Sequence, residues 1–182
     1  MNSRACALRP DALRIRKART DDAAILCAAE RETARESGRL VSRPHELVEQ
    51  AFAARIAALE GAGGYLVAER DGAVVAHAIL EPVSPLAGHA HVRVLTIVVH
   101  AGFTQQGIGS ALMQALIDQA RRHGVERIEL RVRDGNVAAL RLYRKFGFIE
   151  EGRSRRRIRL ADGACLDDIC MAWLAEETEV SS

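Results

Sequence analysis

The sequence predicts an α+β fold, with a mixed and mostly antiparallel sheet of about six to seven strands flanked by about four helices. Short β-branched runs alternate along the chain with longer stretches whose apolar residues recur at helical spacing. Asp71-Gly72 separates two of the strand-like runs, and this pair is a strong hairpin signal that favours antiparallel pairing. The chain of 182 residues is long enough to bury the core of one domain.

The first half of the chain predicts one strand, two helices and a hairpin. Thr20 is expected to cap the first helix, because Asp21 and Asp22 follow it where the helix dipole favours acids. Pro44 is expected at the first position of the second helix. The expected elements are a strand at 13–18, helical stretches that break near Gly38 and again at 61–64, and hairpin strands at 65–70 and 73–80.

The second half predicts a strand, a helix, a strand, a helix and a closing hairpin. Asn136 is expected as a helix N-cap, and Gly147 is expected to end that helix in the left-handed conformation. The expected elements are a strand at 92–99, a helix from 108 to 124, a strand at 127–132, a helix from 136 to 147 and a hairpin over 148–173.

A glycine-rich turn joins the strand at 92–99 to the following helix, and the chain is organised around it. The first N–H groups of a helix have no intrahelical partner and carry partial positive charge, while glycine lets the backbone approach a phosphate closely. We therefore expect the amides of Gln105 to Gly109 to hold a pyrophosphate. The turn is not a P-loop, and Leu112 replaces the third glycine of a dinucleotide fingerprint. The alternative is a tight connection that binds nothing.

Composition gives few clues to a partner. The net charge is +2, and the arginines cluster at Arg153, Arg155, Arg156, Arg157 and Arg159. This cluster is either a solvated hairpin face or a surface for an acidic substrate or for cofactor phosphates. It has no interleaved aromatic residues for base stacking, so no nucleic acid partner is expected.

Cysteine usage indicates a cytoplasmic protein with reduced thiols. Cys6, Cys27, Cys165 and Cys170 form no C-x-x-C pair and no zinc spacing, so no metal site is expected. No apolar run is long enough for a membrane span, and the N-terminus lacks a signal-peptide core. The expected organisation is an N-terminal arm over 1–12, a single domain over 13–175 and a polar tail over 176–182.

Two motifs resemble those of the GNAT family of N-acetyltransferases. Residues 99–112 are similar to the acetyl-CoA signature Arg/Gln-x-x-Gly-x-Gly/Ala, with Gly107 and Gly109 at the two glycine positions and Thr104 at the position of the Arg or Gln. The second motif is Asn136-x-x-Ala139-x-x-Leu142-Tyr143-x-Lys145-x-Gly147-Phe148. The resemblance spans roughly residues 13–175.

The resemblance implies an enzyme that uses acetyl-CoA to acetylate a primary amine by direct transfer. A small-molecule acceptor, an amino acid or an analogue, is expected. The alternatives are acetylation of a protein at its N-terminus or a lysine, or a non-catalytic acyl-CoA sensor. The segments at 91–100 and 152–171 resemble the phosphinothricin and L-amino-acid acetyltransferase branch, although Val94 stands where that branch often has glutamate. By analogy with the family, a monomer or homodimer is expected.

The resemblance also implies a splayed pair of central strands that admits the pantetheine arm. Unpaired amides near Ile97, Val98 and Val99 would bind this arm and the thioester oxygen. Asn136 and Tyr143 are two helical turns apart on one face, so one can contact pantetheine while the other lies near the sulfur. In the turn, the residues expected to bind the cofactor are Thr104, Gln105, Gln106, Gly107, Ile108, Gly109 and Ser110.

Tyr143 matches the tyrosine that is the family's usual general acid. A phenol with a pKa of about 10 is protonated at pH 7 and can donate to a departing thiolate. The sequence offers three candidates for the general base, which are His91, Glu81 and His77. The branch resemblance favours His91, and it also makes Asp167 a candidate to contact the acceptor ammonium. The alternative for Asp167 is a hairpin charge paired to the nearby arginines.

Overall fold

The computed structural model describes residues 12–36, 38–60 and 64–175. The predicted arm up to residue 11 and the tail from residue 176 lie outside the described residues. The strands are β1 (Arg14–Lys17), β2 (Tyr65–Arg70), β3 (Ala73–Pro82), β4 (Val92–Val99), β5 (Arg127–Arg133), β6 (Ile149–Arg159) and β7 (Cys165–Leu174). The α-helices are α1 (Ala23–Thr33), α2 (Glu49–Leu59), α3 (Ile108–Arg122) and α4 (Val137–Lys145).

In this part of the chain the strands form one seven-stranded sheet in the order β1-β2-β3-β4-β5-β7-β6. Every neighbouring pair is antiparallel except β4 and β5. The predicted mixed, mostly antiparallel sheet with one parallel element around the glycine turn is therefore confirmed. No helix among the described residues is long and apolar enough to cross a membrane.

The parallel pair opens into a V. Its register runs only from Val92 opposite Arg127 to Val94 opposite Glu129. Beyond that point β4 continues to Val99 along β3, while β5 continues to Arg133 along β7. The open end of the V therefore lies beside the turn that leads into α3.

The helices cover the two faces of the sheet. Leu112 and Leu116 of α3 and Leu140 of α4 belong to one buried cluster, together with Leu66 of β2. Leu26 and Cys27 of α1 and Phe52 and Ile56 of α2 belong to a second cluster, together with Val67 of β2. Because successive strand residues point to opposite faces, α3 and α4 lie on one face and α1 and α2 on the other.

The single tryptophan of the chain, Trp173, is buried in the α3/α4 cluster. The Arg121 guanidinium of α3 lies 5.6 Å from the centroid of its ring. A Cβ built on Gly147, directly after α4, would lie 3.7 Å from Trp173 Cδ1. The indole therefore fills the space between the ends of the two helices.

The caps of α4 agree with the prediction. The Asn136 side chain accepts from the Ala139 N–H at 3.2 Å, and Gly147 has φ of +84°. The N–H of Phe148 closes the end by donating to the Tyr143 carbonyl at 3.1 Å. This pattern fixes both ends of the helix that carries the second motif.

The predicted starts of α1 and α2 are wrong. Thr20 opens a short 3₁₀ turn whose cap, Arg19, donates its N–H to the Asp22 carboxylate at 2.7 Å, and α1 itself begins at Ala23 with Asp22 as its N-cap. The same carboxylate pairs with Arg16, which holds its pKa below the usual range and fixes the turn ahead of α1. Pro44 likewise opens a separate 3₁₀ turn, and α2 begins only at Glu49.

Candidate functional site

The glycine turn presents a row of free amides at the start of α3. Gln105 and Gly107 both lie in the left-handed region, with φ of +60° and +79°. The first hydrogen bond of the helix runs from the Ala111 N–H to the Gly107 carbonyl at 3.0 Å. The N–H groups of 105–110 find no acceptor within the described residues. A run of unpaired amides at a helix N-terminus is typical of an anion-binding site.

A cation from β2 reaches the same turn. Arg70 Nη1 lies 2.5 Å from the side-chain oxygen of Gln106, and Gln106 Nε2 donates to the Gly102 carbonyl at 3.0 Å. Thr104 is exposed and supplies no charge. Sequence reasoning missed Arg70, because it lies 36 positions before its partner and carries no motif.

The open side of β4 also presents amides. The His100 N–H donates to the Val75 carbonyl at 3.0 Å, which sets the alternation of this antiparallel pair. The amides of Ile97 and Val99 therefore face away from β3 and into the V. Val98, by contrast, directs its amide to His77 of β3. Of the three predicted donors, Ile97 and Val99 therefore face the gap and Val98 does not.

The two motifs meet at Gly109. A Cβ built on Gly109 would lie 3.3 Å from Leu142 Cδ2 of α4 and 3.6 Å from Val99 Cγ2 of β4. The glycine therefore lets the first turn of α3 approach α4 and the end of β4 closely. This contact places the free amides of the turn beside the helix that carries Asn136 and Tyr143.

Tyr143 lies on the buried side of α4, against the ring of Phe148 at a centroid distance of 5.7 Å. Burial raises the pKa of its phenol to about 12, and the positive charge of Arg133 opposes this shift. The hydroxyl therefore keeps its proton throughout the range in which enzymes work. Asn136 lies about 10 Å away along the helix axis, at its N-terminus.

Two of the candidate bases are held in different ways. Both carboxylate oxygens of Glu81 accept from the Arg55 guanidinium, at 2.9 Å for the Nε contact. Both oxygens of the Glu81 carboxylate are therefore already engaged by a cation. His91 is exposed at the closed end of the V, and its carbonyl accepts from the N–H groups of Glu126 and Arg127.

The third candidate, His77, belongs to a buried chain of side chains. His77 Nε2 lies 2.9 Å from Glu30 Oε1, and His77 Nδ1 lies 3.2 Å from His100 Nε2. His100 Nδ1 lies 3.1 Å from the Val74 carbonyl. This chain, which we call the Glu30–His77–His100 relay, links α1 to the residue at which the glycine turn begins.

The Val74 carbonyl at the end of the relay determines which nitrogen of His100 carries a proton. A carbonyl only accepts, so His100 Nδ1 carries a proton. Burial, followed by the influence of His77, lowers the pKa of His100 to about 4, so its ring is neutral and its Nε2 accepts from His77 Nδ1–H. His77 Nε2 contacts the Glu30 carboxylate. Both nitrogens of His77 are engaged, which leaves none free for an acceptor amine.

The relay predicts a pH-dependent stability. His100 has a pKa near 6.5 when unfolded and about 4 when folded. Its contribution is therefore complete above pH 6.5 and is lost as the pH falls toward 4, on the order of 3 kcal/mol in all. We expect His100→Gln to be less stable than wild type at pH 7 and to lose less stability between pH 7 and 5. Urea denaturation measures both.

The exposed His45 provides the control. We expect His45→Gln to follow the wild-type stability curve at every pH. Equal losses of stability for wild type and His100→Gln between pH 7 and 5 would contradict the assignment of a neutral, buried His100.

Asp167 is occupied by the hairpin that carries it. Its Oδ1 accepts from the Arg156 N–H at 2.7 Å, and its Oδ2 lies 3.5 Å from Arg153 Nη1. The Arg156 N–H is the main cause of a lowered pKa at Asp167. Arg156 has φ of +51°, so the carboxylate holds an irregular point of β6. This is the alternative of a hairpin charge paired to nearby arginines.

The arginine cluster lies on β6, which is an edge strand. Arg153 pairs with Asp134 at 2.6 Å, and Arg155, Arg156, Arg157 and Arg159 are exposed. The described residues include no group of three or more side chains that could hold a metal ion.

The described residues combine a strand–turn–helix unit that has unpaired amides with a parallel strand pair that opens beside it. Comparison with family models gives the family. Residues 26–148 match the acetyltransferase (GNAT) family model, which covers well over half of the chain. The chain belongs to this family, and the predicted resemblance is confirmed.

Individual proteins give the same result. An L-amino acid N-acetyltransferase of Escherichia coli K12 is 35% identical over 108 residues, which cover 59% of this chain and 65% of that protein. A ribosomal-protein-alanine N-acetyltransferase from Brucella melitensis superposes with a TM-score of 0.80 at 29% identity, over 89% of this chain and 99% of that chain. The chain spans less than two thirds of the length of the curated relatives it matches.

A third comparison concerns the fold alone. A phosphinothricin acetyltransferase from Sinorhizobium meliloti, solved in complex with acetyl-CoA, superposes with a TM-score of 0.82 at 22% identity. The match covers 91% of this chain and 90% of that chain. It shows that the seven-stranded sheet and its helices have the arrangement of that fold.

Proposed function

We propose that the protein is an acetyl-CoA-dependent N-acetyltransferase that acts by direct transfer. One observation carries the proposal: free amides at the start of α3 adjoin a strand pair that opens beyond Val94 and Glu129, with Tyr143 on the neighbouring helix. A diphosphate held by the amides would place the rest of an extended ligand along the V. When bound, acetyl-CoA supplies the activated acetyl group.

The protein's own groups supply binding and proton transfer. The amides of 105–109 and the nearby Arg70 hold the diphosphate, and the amides of Ile97 and Val99 bind the arm that lies along β4. The Tyr143 hydroxyl donates its proton to the departing thiolate sulfur. The base is assigned to His91 or Glu81, and of these Glu81 would first have to release Arg55.

The acceptor that we propose is a small molecule with a primary amine, an amino acid or analogue. The loop between α1 and α2 supports this, because a Cβ built on Gly38 would lie 3.1 Å from Leu166 Cδ1 of β7. The loop thus reaches across the face of the sheet on which α1 and α2 lie, and we assign the acceptor to this partly covered face. An extended polypeptide needs a more open channel.

The proposal is tested by incubating the protein with acetyl-CoA and a panel of amines while free thiol is measured. The panel contains amino acids, simple alkylamines and peptides with free N-termini. Thiol release with amino acids is expected, whereas release only with peptides favours the protein acceptor. Binding of acetyl-CoA without thiol release across the panel would favour the sensor, the alternative from another class.

A further inference from the structure

Two buried polar atoms of opposite charge lie on neighbouring strands without a partner. Asp168 of β7 is 4% exposed, and its Oδ1 has no hydrogen-bond partner. Nε of Arg133, at the end of β5, is also buried without a partner. The two residues stand directly opposite each other in the antiparallel register. A buried carboxylate oxygen left unpaired is costly, so its retention indicates a group that pairs with it.

Both side chains lie on the face of the sheet that carries α1 and α2, to which the proposed function assigns the acceptor. Ile169 and Met171 of β7 and Val132 of β5 belong to the cluster under α3 and α4. Because strand residues alternate between faces, Asp168 and Arg133 point to the opposite face, on which α1 and α2 lie. Leu166, which the α1–α2 loop contacts, shares this face with Asp168. Arg133 ends the strand that forms one side of the V.

We propose that Asp168 and Arg133 together bind a zwitterionic acceptor of the α-amino acid class. The Asp168 carboxylate accepts hydrogen bonds from the acceptor ammonium, and the Arg133 guanidinium donates to the acceptor carboxylate. The inference rests on the proposed function, since it names the substrate class of the same site. It also places the acceptor-binding acid one position after Asp167, on the opposite face of β7.

The geometry fits a ligand with two adjacent charges. Directly opposed residues of an antiparallel pair have Cα atoms about 5 Å apart, and an α-amino acid carries its ammonium and carboxylate on one carbon. The two side chains form no ion pair with each other among the described residues. The Asp168 carboxylate can therefore accept from a ligand's ammonium group, and the Arg133 guanidinium can donate to a ligand's carboxylate.

The test compares L-amino acids with their methyl esters in the thiol-release assay. For the wild type we expect kcat/KM to be about tenfold or more higher for the amino acid, because the ester lacks the charged carboxylate. Arg133→Gln should remove this preference. Asp168→Asn should raise KM for the amino acid about tenfold or more while leaving the Kd of coenzyme A unchanged.

Two control variants separate this role from a general effect of charge. Arg131→Gln removes an exposed arginine from the same face of β5. Asp118→Asn removes a carboxylate of α3 that accepts a hydrogen bond from Gln114. Both should keep the wild-type preference and KM. Asp168→Asn should melt at the wild-type temperature or higher, since Asp168 loses no hydrogen bond. A purely structural role would instead lower the melting temperature and leave KM unchanged.

The outcomes distinguish the inference from the proposed function. Thiol release with equal preference for amino acid and ester, or wild-type KM values in Asp168→Asn, would overturn the inference and leave the acetyltransferase intact. If no amine gives thiol, the acetyltransferase proposal fails, and calorimetry with amino acids added to the coenzyme A complex decides the inference. Binding that Asp168→Asn abolishes supports it, and absent or unchanged binding overturns it.

Discussion

Tyr143→Phe is expected to lower kcat about a hundredfold or more while changing the Kd of acetyl-CoA by less than about threefold. The hydroxyl is the only group removed, and the ring keeps its contact with Phe148. Because burial raises the pKa of this phenol to about 12, it is protonated at neutral pH, and we expect no alkaline loss of activity below pH 10 from its ionisation. Steady-state kinetics and calorimetry with acetyl-CoA measure the two quantities.

The stability of the variant provides the control. An unchanged melting temperature would show that the loss of turnover arises in the reaction and not in the packing of α4. Turnover equal to that of wild type would remove Tyr143 from the mechanism and leave it a core residue at the edge of the V.

Gly109→Val is expected to weaken coenzyme A binding at least a hundredfold. The first added carbon would lie 3.3 Å from Leu142 and 3.6 Å from Val99, and the two further methyl groups of valine need space on the same side. They would force α3 away from α4 and β4 and move the amides that we propose to hold the diphosphate. Calorimetric titration with coenzyme A measures the loss.

Gly109→Ala provides the graded comparison. Its single methyl group meets the flexible end of Leu142, so we expect a folded protein with a loss of affinity below about tenfold. Circular dichroism establishes whether the valine variant is folded. A folded valine variant with normal affinity would mean that the diphosphate binds elsewhere.

The sequence predicts the parts of the fold that local chemistry determines. Asp71-Gly72 requires a hairpin, and both residues have positive φ. Asn136 and Gly147 mark the ends of α4 because each satisfies backbone groups that a helix leaves free. Thr20 and Pro44 show the limit of such signals. Asp22 pairs with Arg16 of β1 and with the Arg19 amide, so tertiary contacts decide where α1 begins.

The residues of the candidate site also divide into those that the sequence predicts and those that it does not. Gly107 and Gly109 are recognisable because the turn constrains its own residues. The Glu30–His77–His100 relay joins three elements that are far apart in sequence, and its histidines carry no motif. Asp167 and Asp168 are the same residue type at adjacent positions, so the sequence does not distinguish them. The alternation of β7 places their side chains on opposite faces of the sheet, and only Asp167 contacts the bulge of β6. Only the register of the sheet shows that Arg133 and Asp168 face each other.

The position of Trp173 gives the protein a built-in optical reporter. The indole is the chain's single tryptophan, and it lies where the ends of α3 and α4 meet. Indole emission responds to small changes in the surrounding polarity and charge. A ligand that draws the two helices together would therefore alter the intrinsic fluorescence, and binding to the unlabelled, unmutated protein can be followed in a cuvette.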